Sequence, residues 1–229
     1  MNGVILIHKE KEFTSFDVVA VVRKLIGQKK VGHTGTLDPL ATGVVVVCTG
    51  KKTKQIDVLQ AHTKEYVATL QLGATTPSYD LEKPIDQNYP TDHITRELID
   101  EVLPRLQGEI WQIPPTFSAV KIAGKRAYEY ARKGQQVEIK PKLLVIDELE
   151  VVSFSPESMQ LTIRVVCSKG TYIRALARDI GEALHSGAHL IALRRTRVGT
   201  TTLNDCMTIE QFIHLLDNIP SSDATPMTN

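Results

Sequence analysis

Aromatic side chains make up only 5% of this 229-residue chain: one tryptophan, five phenylalanines and six tyrosines. A broad base-stacking platform, such as an RNA-recognition sheet presents, is therefore disfavoured. Cysteine is equally scarce. Cys48, Cys167 and Cys206 are odd in number and none stands in a CxxC spacing. Neither a disulfide framework nor a zinc knuckle follows, and the expectation is buried thiols in a reducing compartment. No apolar run approaches the length of a membrane span. The N-terminal run Val4 to Ile7 meets His8, Lys9 and Glu10 at once, too soon for a signal peptide. These absences lead to the expectation of a cytoplasmic protein with no membrane partner. Net charge is +1, from 27 basic and 26 acidic residues, so bulk charge expresses no preference for a polyanion.

What is present is an ordinary globular composition, 42% hydrophobic and 23% charged, which excludes long disorder. The distribution of charge says more than its sum. Three windows, residues 23–54, 121–142 and 164–197, hold 21 of the basic residues but only 5 of the acidic ones. Brought together in space they would form a basic face suited to a phosphate backbone; kept apart, each is a solvated surface.

Periodicity predicts one mixed α/β domain with no dividing linker. Gly3–His8 reads as a strand, followed by a helix capped by Ser15 and stopped by Gly27. Residues 28–42 read as a loop, and Val44–Cys48 as a buried, β-branched strand. Residues 65–72 alternate as a strand, and residues 73–90 are a polar loop. A helix starts at Thr95 and ends near Pro104. A short strand, Ser118–Ile122, leads to a helix stopped at Gly134. Residues 143–154 and 159–167 pair around Pro156. Thr171–His185 is helical, Leu190–Val198 is a strand, and Thr208 with Gln211 opens a last helix with a capping box. The catalytic domain is expected over residues 1–217, with a polar, disordered tail over 218–229.

The unusual segment is Gly32–Gly43, GHTGTLDPLATG. One carboxylate, Asp38, stands in a loop punctuated by glycine and proline, directly before a buried strand. Glycines allow tight turns and close approach of a bulky substrate, while Pro39 stiffens the position after the acid. Alone, an Asp before Pro is a turn or cap residue. Two further segments, Cys167–Arg174 (CSKGTYIR) and Ala188–Arg195 (AHLIALRR), accompany it. Other patterns fail. Thr49-Gly50-Lys51-Lys52-Thr53 lacks the first glycine and the closing Ser or Thr of a phosphate-binding loop, because Val45 and Lys52 hold those places. His185 and His189 have no evident third ligand, so no metal is expected.

Together the three segments resemble the TruB family of tRNA pseudouridine synthases, from Gly3 to about Leu216. Lys64-Glu65-Tyr66-Val67, Gln112-Ile113-Pro114-Pro115, Ser118-Ala119-Val120-Lys121 and Tyr128-Glu129-Tyr130-Ala131-Arg132 add to the match. The resemblance implies an α/β fold of the α+β type: a mixed, mostly antiparallel sheet with flanking helices and a central cleft. It implies isomerisation of the T-loop uridine of tRNA, conventionally position 55, to pseudouridine, with no cofactor and no metal. The partner is the T-arm stem-loop, and a monomer is expected. Asp38 matches the catalytic aspartate and Tyr66 a tyrosine that packs on the flipped uracil. Arg174 matches the arginine paired with the aspartate. Tyr172 and Leu193 match residues lining the uracil pocket, and His33 one that enters the T-loop. Lys9 is carried over with the substrate-binding residues.

The chain also departs from the family pattern. Lys9-Glu10-Lys11-Glu12 stands where K-P-x-G is frequent, so a different turn is expected there, and Pro77 stands where an acid is common. No C-terminal PUA domain is expected. Two rival functions share some of these features: an N-glycosidase that releases free base, and a non-catalytic RNA-folding module.

Overall fold

The computed structural model describes residues 2–122, 124–135 and 137–218. In chain order the elements are β1 (Val4–Lys9), α1 (Ser15–Leu25), β2 (Val31–His33), β3 (Thr42–Thr49), a 3-10 turn (Gly50–Gln55) and α2 (Ile56–Gln60). Next come β4 (Lys64–Leu72), β5 (Ala74–Thr75), β6 (Gln87–Asn88), α3 (Arg96–Val102), a second 3-10 turn (Leu103–Leu106), β7 (Gly108–Gln112), β8 (Lys121–Ile122), β9 (Lys125–Arg126) and α4 (Ala127–Ala131). The chain continues with β10 (Lys142–Ser155), β11 (Gln160–Cys167), α5 (Ile173–Ala183), β12 (Ala188–Val198), β13 (Thr201–Thr202), a third 3-10 turn (Leu203–Asp205) and α6 (Ile209–Asp217). Among the described residues no helix is long and apolar enough to cross a membrane.

Contacts divide these elements into two compact units, one from Met1–Gln60 with Thr201–Asn229 and one from Ala61–Thr200. No shift in composition marks either crossing point, which is why the sequence reads as undivided.

In the first unit the valine run of β3 is buried from Gly43 to Thr49. β1 lies antiparallel to it, Val4 facing Cys48 and Lys9 facing Gly43. Helix α1 puts Val18, Val19 and Val22 inside. Its N-cap is Thr14 rather than Ser15: Thr14 and Asp17 form the reciprocal capping box, three residues apart. Ser15 is buried and serves a different purpose, described below. Residues 28–42 are not wholly loop, because Val31–His33 pairs with β3, His33 facing Val47. Three residues are too few for a period to reveal. The C-terminal segment returns to this unit through Met207, whose N–H reaches Leu6 O (3.1 Å) and whose carbonyl accepts from His8 N (2.8 Å). Helix α6 has the expected Thr208–Gln211 capping box and buries Phe212. Of the expected tail over 218–229, Asn218 caps α6 and residues 219–229 lie outside the described residues.

In the second unit the strands run in the order β12-β4-β11-β10-β7, antiparallel at every pairing. Along β4 the residues Lys64, Tyr66, Ala68, Leu70 and Leu72 are buried, and those between them are half-exposed. Helix α5 packs on β12 and β4 with Ile173, Leu176, Ala177 and Ile180 inside. Gly181 permits the close return to β12: a Cβ there would lie 2.4 Å from Ala188 N. Strand β7 has no forecast in the sequence reading, and Ser118–Ile122 is not one strand. Lys121–Ile122 instead forms a hairpin with Lys125–Arg126.

Candidate active site

Asp38 is half-buried in the first unit on a loop anchored at both sides. Before it, Leu37 N donates to Ser15 Oγ at 2.9 Å. After it, the Pro39 carbonyl accepts from Glu12 N at 2.8 Å and from Lys9 Nζ at 3.2 Å. Ala41 N closes a turn on the Asp38 carbonyl at 3.0 Å. Lys9 is fully buried, and its ammonium also donates to the carbonyls of Glu10 and Phe13. A cation enclosed by backbone carbonyls holds the chain in place, so this geometry supports a loop-holding role for Lys9 rather than contact with substrate. The turn after Lys9 also differs from expectation. Glu12 has φ 73°, the left-handed region where a glycine sits without strain, so the chain makes a glycine-type turn without the glycine. His33, on β2, accepts from Gly35 N at Nδ1, 3.2 Å away. That bond places the proton of the neutral ring on Nε2.

The second unit holds the other sequence-selected residues. Tyr172 is the N-cap of α5, and its N–H donates to Gln112 Oε1 at 2.9 Å. Arg174, two residues on, is 6% exposed and so is no surface helical arginine. It donates to Ser78 O at 3.1 Å and Phe117 O at 3.0 Å, and its Nε lies 3.6 Å from Asp80 Oδ2. Asp80 is itself buried and accepts from Glu82 N at 2.9 Å. The loop of residues 76–82 is further held by Arg178, which lies over the Tyr79 ring at 5.3 Å. Arg178 also pairs with Asp179 at 2.6 Å. Burial raises the Asp179 carboxyl above its ordinary value despite the Arg178 charge that opposes it. The sequence places Asp80 in the polar loop of residues 73–90 but offers no sign of its partner, 94 residues away in the chain.

Tyr66 is buried on β4, opposite Arg195 on β12 and Val165 on β11. Leu193, half-buried, faces Ala68, two residues along β4 from Tyr66. Lys64 shares the Tyr66 face and is 5% exposed, its Nζ donating to His62 O at 2.6 Å. Burial, and then the charge of Arg195, bring its ammonium down to about 8. The same burial pushes the Cys167 thiol up to about 11, which keeps it protonated and inert.

The three basic windows do not fare alike. In residues 23–54 all seven basic side chains are exposed. In residues 121–142 most are exposed, and Lys121, Lys140 and Lys142 line a cavity of about 670 Å³ together with Ile139, Glu138 and Tyr172. The third window is largely consumed within the fold. Arg174 and Arg195 are buried, and Arg178 is paired. Arg164 binds Glu65, Glu148 and Glu150, and Arg197 also reaches Glu65. Only Lys169 and Arg194 of the third window are exposed, so its contribution to any basic face is small beside that of the first two.

Comparison with known proteins decides the family. A family model described as "TruB family pseudouridylate synthase (N terminal domain)" matches residues 23–173, and one described as "tRNA pseudouridylate synthase B C-terminal domain" matches residues 174–223. The chain belongs to the TruB family. Curated TruB-family relatives include proteins named tRNA pseudouridine synthase B from Phocaeicola vulgatus and Flavobacterium johnsoniae. The first is 62% identical over 93% of both chains. The second is 48% identical over 91% of this chain and 93% of its own length. Among solved structures, a "Cbf5-Nop10-Gar1 Complex" contains a chain with TM-score 0.71 and 30% identity over 93% of this one. This chain spans about half of that one, 54% of its length. A second neighbour, an "H/ACA RNP bound to a substrate RNA containing 2'-deoxyuridine", has TM-score 0.69 at 28% identity. The fold is that of the TruB-type pseudouridine synthases: mostly antiparallel strands with flanking helices, as the resemblance implied.

Proposed function

We propose that this TruB-family isomerase converts the T-loop uridine of tRNA, position 55, to pseudouridine, with Asp38 as the catalytic carboxylate and with Tyr66 and Arg174 as further catalytic residues. The N1–C1′ bond breaks, the uracil turns, and C5 bonds to C1′. The proton lost from C5 is balanced by the one gained at N1, so product and substrate are isomers and no cofactor is consumed. The observation that carries this reading is the anchoring of Asp38. It is the only acid in a window of seven exposed cations, on a loop pinned at Leu37 and Pro39. A carboxylate held in this way needs no reorganisation to meet a polyanionic substrate that the surrounding lysines attract.

His33, Tyr172 and Leu193 bind the displaced loop and the uracil in this reading, and Lys9 acts through the Asp38 loop. Base extrusion costs a few kcal/mol of unstacking, least where bases are already out of the duplex. The two exposed basic windows favour the T-arm backbone as the partner, and the enzyme acts as a cytoplasmic monomer. The test is incubation with an unmodified tRNA transcript followed by chemical mapping of pseudouridine. Wild type should modify one T-loop uridine. Asp38→Asn should bind the transcript equally well yet not turn over, because an amide is neither nucleophile nor base at neutral pH. Release of free uracil, or Asp38→Asn turnover within tenfold of wild type, would overturn the assignment.

A further inference from the structure

Among the described residues of the first unit Phe16 is the most exposed phenylalanine, 68% open to solvent at the start of α1. Burial does not account for it: α1 turns Val18, Val19 and Val22 inward and leaves Phe16 outside. Its ring instead meets His33, with centroids 5.7 Å apart and planes at 88°. An edge-to-face pair at this distance is a favourable aromatic contact, and it fixes the plane of the imidazole. His33 is thus oriented from two sides, by Phe16 against the ring and by Gly35 N–H on Nδ1. Two rings at a right angle also make a corner. A flat heterocycle stacked on one of them meets the other edge-on, and an exposed phenylalanine has a free face to offer.

From this geometry we infer that Phe16 is a further substrate-binding residue, stacking an unpaired base of the RNA loop and holding His33 in position beside it. The inference rests on the function proposed above and deepens it. The neighbouring charge favours a base over a phosphate at this point. Asp17 adjoins Phe16, and bonds from Thr14 keep its carboxyl below the usual range, so an anion stands next to the ring. Phosphates would go instead to the exposed cations elsewhere in the unit, such as Lys29 and Lys30. Stacking needs a π-face but not a particular base, so the contact would add affinity without reading sequence.

The experiment uses the full chain and an unmodified T-arm hairpin, comparing wild type, Phe16→Leu and Phe16→Trp. Leucine keeps apolar volume but has no π-face; tryptophan keeps the face. Phe16→Leu should weaken hairpin binding about tenfold, equivalent to ~1.4 kcal/mol, with melting temperature near wild type. Phe16→Trp should restore binding to within about twofold. Equal binding by wild type and Phe16→Leu, or a loss that tryptophan does not repair, overturns the role of Phe16. A wild-type protein that neither binds nor modifies the hairpin overturns the underlying functional reading instead, and the two failures are told apart by that one control.

Discussion

Replacing Arg174 by lysine keeps the positive charge and removes the geometry, and so separates the two contributions. The acceptors of Arg174 include Ser78 O at 3.1 Å, Phe117 O at 3.0 Å and the Asp80 carboxylate at 3.6 Å. These belong to two different loops, and a planar guanidinium spans them where a compact ammonium on a flexible stem does not. Loss of one charge-assisted hydrogen bond at a buried site costs about 1.5–3 kcal/mol. For a protein of this size that corresponds to a melting temperature lower by roughly 3–12 °C. Arg174→Met removes the cation altogether and strands a buried carboxylate, for which about 3–5 kcal/mol is expected. Activity should suffer beyond stability. Both loops shift when their clamp is gone, and misplacement by about an ångström costs on the order of a hundredfold in rate. The assay is thermal denaturation paired with single-turnover pseudouridine formation, run well below the variant's melting temperature. An Arg174→Lys protein that melts within 1 °C of wild type and reacts within about threefold of its rate would refute the clamp argument.

Further outcomes follow from the same geometry. Tyr66→Phe should leave substrate affinity close to wild type while lowering single-turnover rate, since it keeps the ring and loses the hydroxyl; equal rates would reduce Tyr66 to a platform. Lys64 supplies a pH signature. Its folded value of about 8 lies below the ordinary 10.5, so between these values the unfolded chain binds more protons and stability rises with pH. Relative to Lys64→Met, wild type should gain ~2 kcal/mol between pH 7.5 and 9.5 by chemical denaturation. The variant comparison is needed because Cys167, pushed up to about 11, works in the opposite direction above pH 9. A difference independent of pH would show that Lys64 keeps its ordinary proton affinity in the fold and stays charged throughout this range. Finally, neutralising Lys29 and Lys30 should flatten the log–log salt dependence of tRNA binding by about one to two, whereas Arg164→Gln should leave it unchanged because Arg164 is already spent on three glutamates. An equal effect of both would mean that the third basic window does meet phosphate.

Some of this protein follows from local chemistry and was open to reading in one dimension. The Thr208–Gln211 capping box, the valine run of β3 and the period-two alternation of β4 depend on residues within a few positions of one another. Asp38 stood out as a candidate because the continuous segment Gly32–Gly43 that carries it resembles the family's own, whereas local chemistry alone gives only a turn residue. What the tertiary structure decided lies at long sequence separation. Asp80 meets Arg174, Glu65 gathers Arg164 and Arg197, and Ser15 leaves its expected cap for the backbone at Leu37. The short strand β2 and the edge strand β7 exist because of the partners they pair with, β3 and β10, rather than any pattern of their own. Arg164, Arg174, Arg178, Arg195 and Arg197 look equally free in the sequence. Strand register and helix packing bury or pair all five, because a charge taken from water must be compensated by whatever acceptor the fold brings within reach.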